Sequence, residues 1–586
     1  MDPVSLTLAT IPIAASLLTS CQAGYEVLCG ISSVGDDAQV LLCRLQIEQT
    51  RLYLWAKDLK AEGVSFDQQL DSRGIKDLVI SIFAQMCHIL TDSKRLRSQY
   101  GLSAPQPDPQ QQPQTTGAND PALTLVIPLF GRHFEDVADV ADKAAALKQY
   151  AKEVQQSASV LKKLKFSLKD KKKFSGLLDQ LRYYNDSLMS LIPPTCRACL
   201  DFTLSSRMLD GIADPAELAK IRAAAEGNTG GLSSTAMMKR FRLLIHAPEP
   251  SYVSASQLRC ARDWLELDNP SAQRCYGEYA PPGHVKQRII AEWKYYDHNL
   301  PREVSVDRIQ DIARYLHTNS SYRSPDLPVP KCLGYVEDID YSRCCFLYSV
   351  PEDLPSGSPP SLTTLEDLIP VHFNPVSTPN LEHRLHLARV VAGAVFRLHV
   401  TGWLHKGIRS SNIIFPRVSD GNLAHITRPE LMGFDYSRPD RPHEESEQYP
   451  QRGRPQFDLY VHPEYQQWGS GAMTGSGARS PQRGERSHAT RYQRKYDIYS
   501  LGVLLLEVAL WQPVRTFYKK TFTSGQFIDA LMDVAETELG HVVGGKYKEV
   551  VKACLNWDDA STAAADRRDN VDPFLTLVVK PLYEAP

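Results

Sequence analysis

Through the first two hundred residues, apolar positions recur three and four apart. Leu45, Leu52, Trp55 and Leu59 fall on one helical face, as do Ile75, Leu78, Ile82, Met86 and Ile89. A longer row runs Val137, Val140, Ala144, Leu147, Ala151, Val154, Ala158, Leu161, Leu164 and Leu168. All its steps are three or four, which predicts one long helix packed along a partner. Leu177, Leu181, Leu188 and Leu191 predict a further helix that ends before Pro193–Pro194. The stretch Pro105–Gly117 has no apolar side chain to bury besides proline, so a disordered loop is expected over 103–122. The pattern predicts an all-α helical bundle over residues 1–210.

The chain opens with an uncharged run, Val4–Cys21, close to the ~20 residues that span a bilayer. Asp2 precedes it and no basic residue occurs before Arg44, unlike a secretory signal. Pro12 and six Ser/Thr residues dilute it as a membrane span. The favoured reading is an amphipathic or buried helix, with Asp2 as N-cap and Pro3 at its first position.

From about residue 270 the period changes. Short apolar runs such as Arg288–Lys294 and Cys344–Val350 flank one helical stretch, Val306–Leu316, and helical patterns follow. Strands enclosing one helix, then helices alone, predict an α+β two-lobed domain over 266–583, with a small lobe over 266–350 and a large lobe over 351–583. Two polar inserts, Arg438–Gln456 and Gln466–Gln493, are expected as mobile loops. Residues 211–265 form a partly helical linker, with a helix near Pro215–Glu226, a Gly/Ser turn at Gly227–Ser234, and apolar Phe241–Ile245.

Composition narrows the function. At 586 residues the chain has room for two to four domains, and 42% hydrophobic with 23% charged residues is globular usage. A net charge of −2 excludes a uniformly basic nucleic-acid binder, and no nucleic acid is expected. Twelve cysteines are too sparse for a disulfide framework and point to reduced thiols in an intracellular compartment. The pair Cys196/Cys199 has no second CxxC to complete a zinc site, so no metal is expected. Charge is concentrated in 162–173, where Lys162, Lys163, Lys165, Lys169, Lys171, Lys172 and Lys173 oppose Asp170 alone. A solvated helix face is one reading. The other is contact with acidic lipid or phosphate, worth about 1 kcal/mol per charge.

Four motifs in order carry a resemblance. His405-Lys406-Gly407-Ile408-Arg409-Ser410-Ser411-Asn412 is similar to the H-R-D-L-K-x-x-N catalytic loop of protein kinases. Gly433-Phe434-Asp435 stands in the place of D-F-G, and His462-Pro463-Glu464 in that of A-P-E. Asp497 opens a helix-like run whose aspartate, in that family, braces the catalytic loop. The resemblance implies a protein-kinase-like domain, and the chemistry must be checked part by part. The base position is Gly407, which has no side chain to accept a proton. Arg409 replaces the lysine. Gly433 replaces the metal-binding aspartate. On an extended chain Asp435 lies about 6–7 Å away, too far to repair that loss. Asn412 is the surviving metal ligand. The glycine-rich loop, expected near Cys275–His284, holds only Gly277 and Gly283. Glu292 or Lys294 fills the strand-lysine position, with Asp307 or Asp311 to pair with a lysine. His405, Phe434, Glu464 and Asp497 read as structural. The expectation is a pseudokinase with no required cofactor and a vestigial nucleotide pocket at Lys294 and Asn412, which leaves weak ATP binding open.

The first half carries a second resemblance. The opening Met1-Asp2-Pro3-Val4, the run Cys43-Arg44-Leu45-Gln46-Ile47-Glu48-Gln49-Thr50-Arg51-Leu52-Tyr53-Leu54-Trp55, and the lysine cluster ending at Phe174 are together similar to the fungal prion-inhibition-and-propagation, or HeLo, domain. That resemblance implies an all-helical bundle that acts in incompatibility and regulated cell death, with its first apolar helix able to leave the bundle and disrupt membranes. The implied protein self-associates or binds protein partners, and is cytoplasmic until recruited to an acidic plasma membrane. Two alternatives remain: a divergent active kinase localised by its bundle, and a scaffold with neither activity. No amyloid-forming motif is evident after residue 580.

Overall fold

The computed structural model describes residues 13–31, 35–59, 64–103, 149–150, 152–153, 167–227, 231–247, 252–296, 301–321, 327–350, 362–370, 378–416, 426–441, 459–465, 492–558 and 572–585. The chain divides into two compact units, Met1–Leu204 with Ala219–Ser233, and Ser205–Leu218 with Ser234–Pro586.

The first unit is helical: α1 (Ile13–Cys29), α2 (Asp36–Asp58), α3 (Phe66–Ser72), α4 (Lys76–Thr91), α5 (Ser93–Ser98), α6 (Lys171–Ser190) and the start of α7 (Pro194–Leu209). A two-residue ladder pairs β1 (Leu102–Ser103) with β2 (Ser167–Leu168). The start of α1 is capped from a distance. The buried Asp67 carboxylate on α3 accepts the Ala14 and Ala15 N–H groups at 3.0 and 3.1 Å, which satisfies donors that have no intrahelical acceptor. The Trp55 indole donates to the Leu188 carbonyl at 2.8 Å and meets Phe66 and Phe83 edge-on, joining α2 to α3, α4 and α6. Asp170 caps α6 by accepting Lys173 N–H at 3.0 Å, and Phe174, Leu177, Leu181 and Leu188 are buried on its inner face. Each such side chain contributes about 1.5–3 kcal/mol.

The α4 row needs one correction. Leu78 is 52% exposed and Ile75 precedes the helix, while Val79, Phe83, Met86 and Cys87 form the core face. The face is wider than the three-four row, and Leu78 falls outside it. The expected long helix lies almost wholly outside the described residues, as do Val4–Pro12 and the expected 103–122 loop except Ser103, which is not disordered but paired with Ser167 in β1.

The expected linker is ordered over most of its length. It holds the helix α8 (Pro215–Ala224) and the helix α9 (Leu232–Leu244). The expected turn through Ser234 ends earlier, because Leu232 already starts α9 and is buried against the core.

In the second unit a six-stranded sheet has the order β3-β7-β8-β6-β5-β4. Its strands are β3 (Arg259–Cys260), β4 (Leu265–Leu267), β5 (Arg274–Tyr279), β6 (Gln287–Tyr295), β7 (Cys332–Asp338) and β8 (Arg343–Ser349). Only β3 joins in parallel; the other neighbours are antiparallel. One helix, α10 (Arg302–Ser321), separates β6 from β7. The segment Cys275–His284, expected as a glycine-rich loop, is instead strand β5 and the turn after it. The preceding turn, Asp268–Gln273, contains no glycine.

Beyond the sheet the unit is mainly helical. It comprises α11 (Leu365–Leu368), α12 (Leu381–Val400), α13 (Arg494–Leu510), α14 (Ser524–Val534), α15 (Gly545–Leu555) and α16 (Lys580–Glu584). Two short ladders pair β9 (Trp403–Leu404) with β12 (Arg438–Pro439), and β10 (Ile413–Ile414) with β11 (Glu430–Leu431). Arg438–Pro439, expected in a mobile insert, is therefore a buried strand. The described end of the other insert, Tyr492, is core. The remainder of both inserts lies almost entirely outside the described residues.

Candidate functional site

Residues 405–412 run between β9 and β10, and one carboxylate holds them. Asp497, buried in the first turn of α13, accepts the His405 and Lys406 N–H groups at 2.9 Å each. The Tyr492 hydroxyl donates to it at 2.9 Å, and His399 Nε2 lies 3.4 Å away. Burial alone would push the Asp497 carboxyl up, but the His399 contact and the donors outweigh it and hold the group low. Lys406 adopts φ +64°, a conformation that costs a non-glycine residue about 1–3 kcal/mol. The paired N–H groups on Asp497 hold that turn in place. Burial pushes the His405 imidazole down to about 4, so it is neutral at pH 7; its Nδ1 accepts the Gly407 N–H at 3.1 Å. Its ring packs against Phe434 at 4.5 Å.

On the sheet side, β5 and β6 present Arg274, Glu292 and Lys294. The Arg274 guanidinium donates through Nε to Glu292 Oε1 at 2.6 Å and through Nη1 to the Ser411 carbonyl at 2.6 Å. Its Nη2 donates to Asn412 Oδ1. The Tyr348 hydroxyl donates to the other Glu292 oxygen at 3.1 Å. Asn412 is fully buried and donates from Nδ2 to the Gly407 carbonyl at 2.6 Å. Lys294, also buried, lies with its ammonium 5.2 Å from the centre of the Tyr436 ring. Arg409 donates from Nε to Ser411 Oγ at 3.1 Å.

The segment Gly433-Phe434-Asp435 is not extended, and here the sequence expectation fails. Gly433 has φ +83° and ψ 34°, and residues 434–436 form a tight helical turn. The turn carries Asp435 into the protein, where it is buried and its Oδ1 has no hydrogen-bond partner. Burial raises the Asp435 carboxyl, and Glu292 raises it further against the opposing Arg409, Lys294 and Arg274. A side chain at 433 has no room, because a Cβ there would lie 2.1 Å from Asn412 Nδ2.

The remaining expected residues are placed as follows. Glu464 pairs with Lys495 at 2.7 Å on a half-exposed surface, and the Lys495 hydrogen bond lowers its carboxyl. Asp311 faces His246 at 3.6 Å, and Asp307 is exposed. Lys171 reaches Asp37 at 2.9 Å and Lys173 reaches the Ser98 carbonyl at 3.4 Å, both exposed contacts; Lys172 is exposed. Lys162, Lys163 and Lys165 lie outside the described residues. All twelve cysteines are free thiols, and the described residues hold no cluster of metal-ligating side chains.

Sequence reasoning missed two features. Arg274 was one; the available signal was a lone arginine opening an apolar strand. The other is Glu507, buried on α13, which accepts the Val514 N–H at 2.6 Å and the Tyr460 hydroxyl at 2.5 Å. Tyr460 in turn lies 2.7 Å from the Ser410 hydroxyl. Burial pushes the Glu507 carboxyl up to about 7.

The first unit has a buried polar centre of its own. Glu48 Oε2 accepts from Arg51 at 2.9 Å and from Asn185 at 2.8 Å, and Arg51 also pairs with Asp186. Nearby, Cys21 Sγ on α1 lies 3.4 Å from Cys87 Sγ on α4, both fully buried. No described helix is long and apolar enough to cross a membrane.

Residues 5–221 match the family described as prion-inhibition and propagation, the HeLo domain. No curated protein matches the chain.

Proposed function

We propose that this chain, which carries a HeLo domain over residues 5–221, is a signalling protein of regulated cell death in fungi whose second half is a catalytically degenerate kinase-like domain. That half controls the bundle, which self-associates and engages acidic membrane from a cytoplasmic resting state. The arrangement of the second unit supports the kinase-like reading. Three antiparallel strands, β4, β5 and β6, are followed by a helix and two more strands, and Lys294 lies on the third strand, where kinases hold their phosphate-binding lysine. The loop 405–412 stands braced by Asp497, as the family's catalytic loop is.

One observation carries the loss of catalysis. The Arg274 guanidinium occupies Asn412 Oδ1, the one surviving oxygen that a magnesium ion would need, while it also holds Glu292 and the Ser411 carbonyl. The residues do not fit a magnesium ion. Asn412 is engaged on both amide atoms, Gly433 has no carboxylate and no space for one, and Gly407 supplies no base. A bundle whose helices are bistable then needs a partner that binds the open form better by several kcal/mol.

A second reading, a divergent active kinase, has one observation in its favour: the turn at Gly433 brings a carboxylate, Asp435, beside Lys294. Its raised carboxyl and the three cations around it oppose metal binding there.

The test is transfer of radiolabelled phosphate by the full chain with ATP and magnesium. The expected result is no transfer above blank, unchanged in Asn412→Ala. Turnover that Asn412→Ala abolishes would establish the active-kinase reading instead.

A further inference from the structure

We infer that Cys21 and Cys87 form a redox modification site, which a low-molecular-weight disulfide converts to a Cys21–Cys87 disulfide fastening α1 to α4. The two sulfurs are 3.4 Å apart and belong to residues 66 positions apart in sequence. Each is anchored to the other helix as well. Cys21 Sγ lies 3.5 Å from the Phe83 carbonyl, and Cys87 Sγ lies 3.5 Å from the Leu17 carbonyl. The helices approach unusually closely beside this pair. One turn on, a Cβ added at Gly24 would lie 2.6 Å from Leu90 Cβ. Backbones this close, with both side chains directed at each other, suit the short reach of a disulfide, whose Cβ atoms are about 3.8 Å apart.

Burial makes the pair conditional. Both thiols are fully buried, and burial pushes the Cys21 thiol well up, so little attacking thiolate exists while α1 is docked. Reaction therefore begins when α1 loosens from α4. One protein thiolate attacks the small disulfide, forms a mixed disulfide and releases one small thiolate. When α1 docks again, the second protein thiolate attacks the mixed disulfide and releases the other. Two electrons pass from the protein to the small disulfide, and the two protons leave with the released thiols. The product closes a long loop, so it restricts the unfolded chain strongly. It also joins the helix whose first turn Asp67 holds to the helix behind it.

The consequence for activity rests on the reading proposed above, if the bundle engages membrane by releasing its first helix, α1. The oxidised chain is then locked and the reduced chain is competent.

The experiment uses the full chain, incubated with oxidised glutathione at a temperature just below the first unfolding transition and compared with chain kept in dithiothreitol. Peptide mapping without reduction should find Cys21 joined to Cys87 with the loss of two hydrogens. The first transition should rise by roughly 5–10 °C, and Cys87→Ala should abolish both. Absence of the joined peptide when other cysteines of the same sample carry glutathione overturns the site. So does a joined peptide that leaves the transition where it was. Dye leakage from acidic-lipid vesicles, measured on the same two samples, addresses the other reading: it should fall at least tenfold in the oxidised chain. Leakage that persists in chain mapped as fully joined overturns the departure of α1 and not the thiol site, which the peptide and the transition decide.

Discussion

Two regions of the second unit lie on opposite sides of residues 405–412, and they have fared differently. Behind the loop, α13 supplies Asp497 and Glu507, each receiving more than one donor at 2.5–2.9 Å. In front of it, Arg274, Glu292, Lys294 and Asp435 face a loop with glycine at its base position and glycine at 433. The rear carboxylates tie α13 to backbone N–H groups and tyrosine hydroxyls of neighbouring segments, so the fold depends on them whether or not a reaction occurs. The front set is held together by the Arg274 guanidinium, which already occupies Asn412 Oδ1. The contrast separates what a fold must keep from what a reaction must keep.

The largest expected effect breaks the rear. Asp497→Ala strands two backbone N–H groups and the Tyr492 hydroxyl in a buried setting, each costing about 1–3 kcal/mol. Partial relief by rearrangement leaves an expected loss of about 3–5 kcal/mol for the second unit. Denaturant unfolding of the full chain, followed by the fluorescence of the buried Trp403 and Trp511 among the other tryptophans, measures it. A loss under 1 kcal/mol would mean that the loop is held from elsewhere.

Next in size is a pH effect at the other rear carboxylate. Glu507 titrates near 7 when folded, against 4.5 for the ordinary group. A raised folded value favours the protonated form, so its contribution is complete below about pH 4.5 and is lost as pH rises through 7. The loss across that window is about 3 kcal/mol. Glu507→Gln keeps an acceptor for the Val514 N–H and a polar partner for Tyr460. It should therefore flatten the stability profile between pH 4.5 and 8 and leave the variant more stable than the parent at pH 8. A parallel pair of profiles would remove Glu507 as the cause.

The rear was far more legible in sequence than the front. Asp497 sits at a fixed offset in a run, Asp497-Ile498-Tyr499-Ser500-Leu501-Gly502, whose apolar residues are almost all core, and His405–Asn412 follows a long apolar helix. Local pattern sufficed there, as it did for α2 and α6, where leucine spacing matches the buried face. In front, contacts span great sequence distance. Arg274 meets Asn412 across 138 positions, and nothing in the strand Arg274–Tyr279 reports that reach. Asp435 was misplaced for a different reason. The expectation was an extended chain, but Gly433 turns left-handed and the turn after it carries the carboxylate into the interior. Leu78 fails by a third route: three-four spacing marks a narrow stripe, and α4 buries a broader face set by its neighbours.

The smallest expected effect tests the front directly. Asp435 is buried with one oxygen unpartnered, in a field where Glu292 opposes its charge and Arg409, Lys294 and Arg274 favour it. Its carboxyl is raised, first by burial, so the protonated form carries the folded state's preference. That contribution is present at low pH and lost as pH rises through the folded value. Asp435→Asn is neutral at every pH and nearly the same shape, so it cannot lose what the aspartate loses. The stability change should be within about 1 kcal/mol at pH 7, on the stabilising side, and should shrink as pH falls toward 4. Asp497→Asn offers the control, because there the carboxyl is held low by its donors and the same substitution should destabilise at pH 7. Opposite signs at two aspartates flanking one loop would show that Asp497 uses its charge and Asp435 does not. Strong destabilisation at both positions would instead make Asp435 a working anion, and would return attention to the cation that it serves.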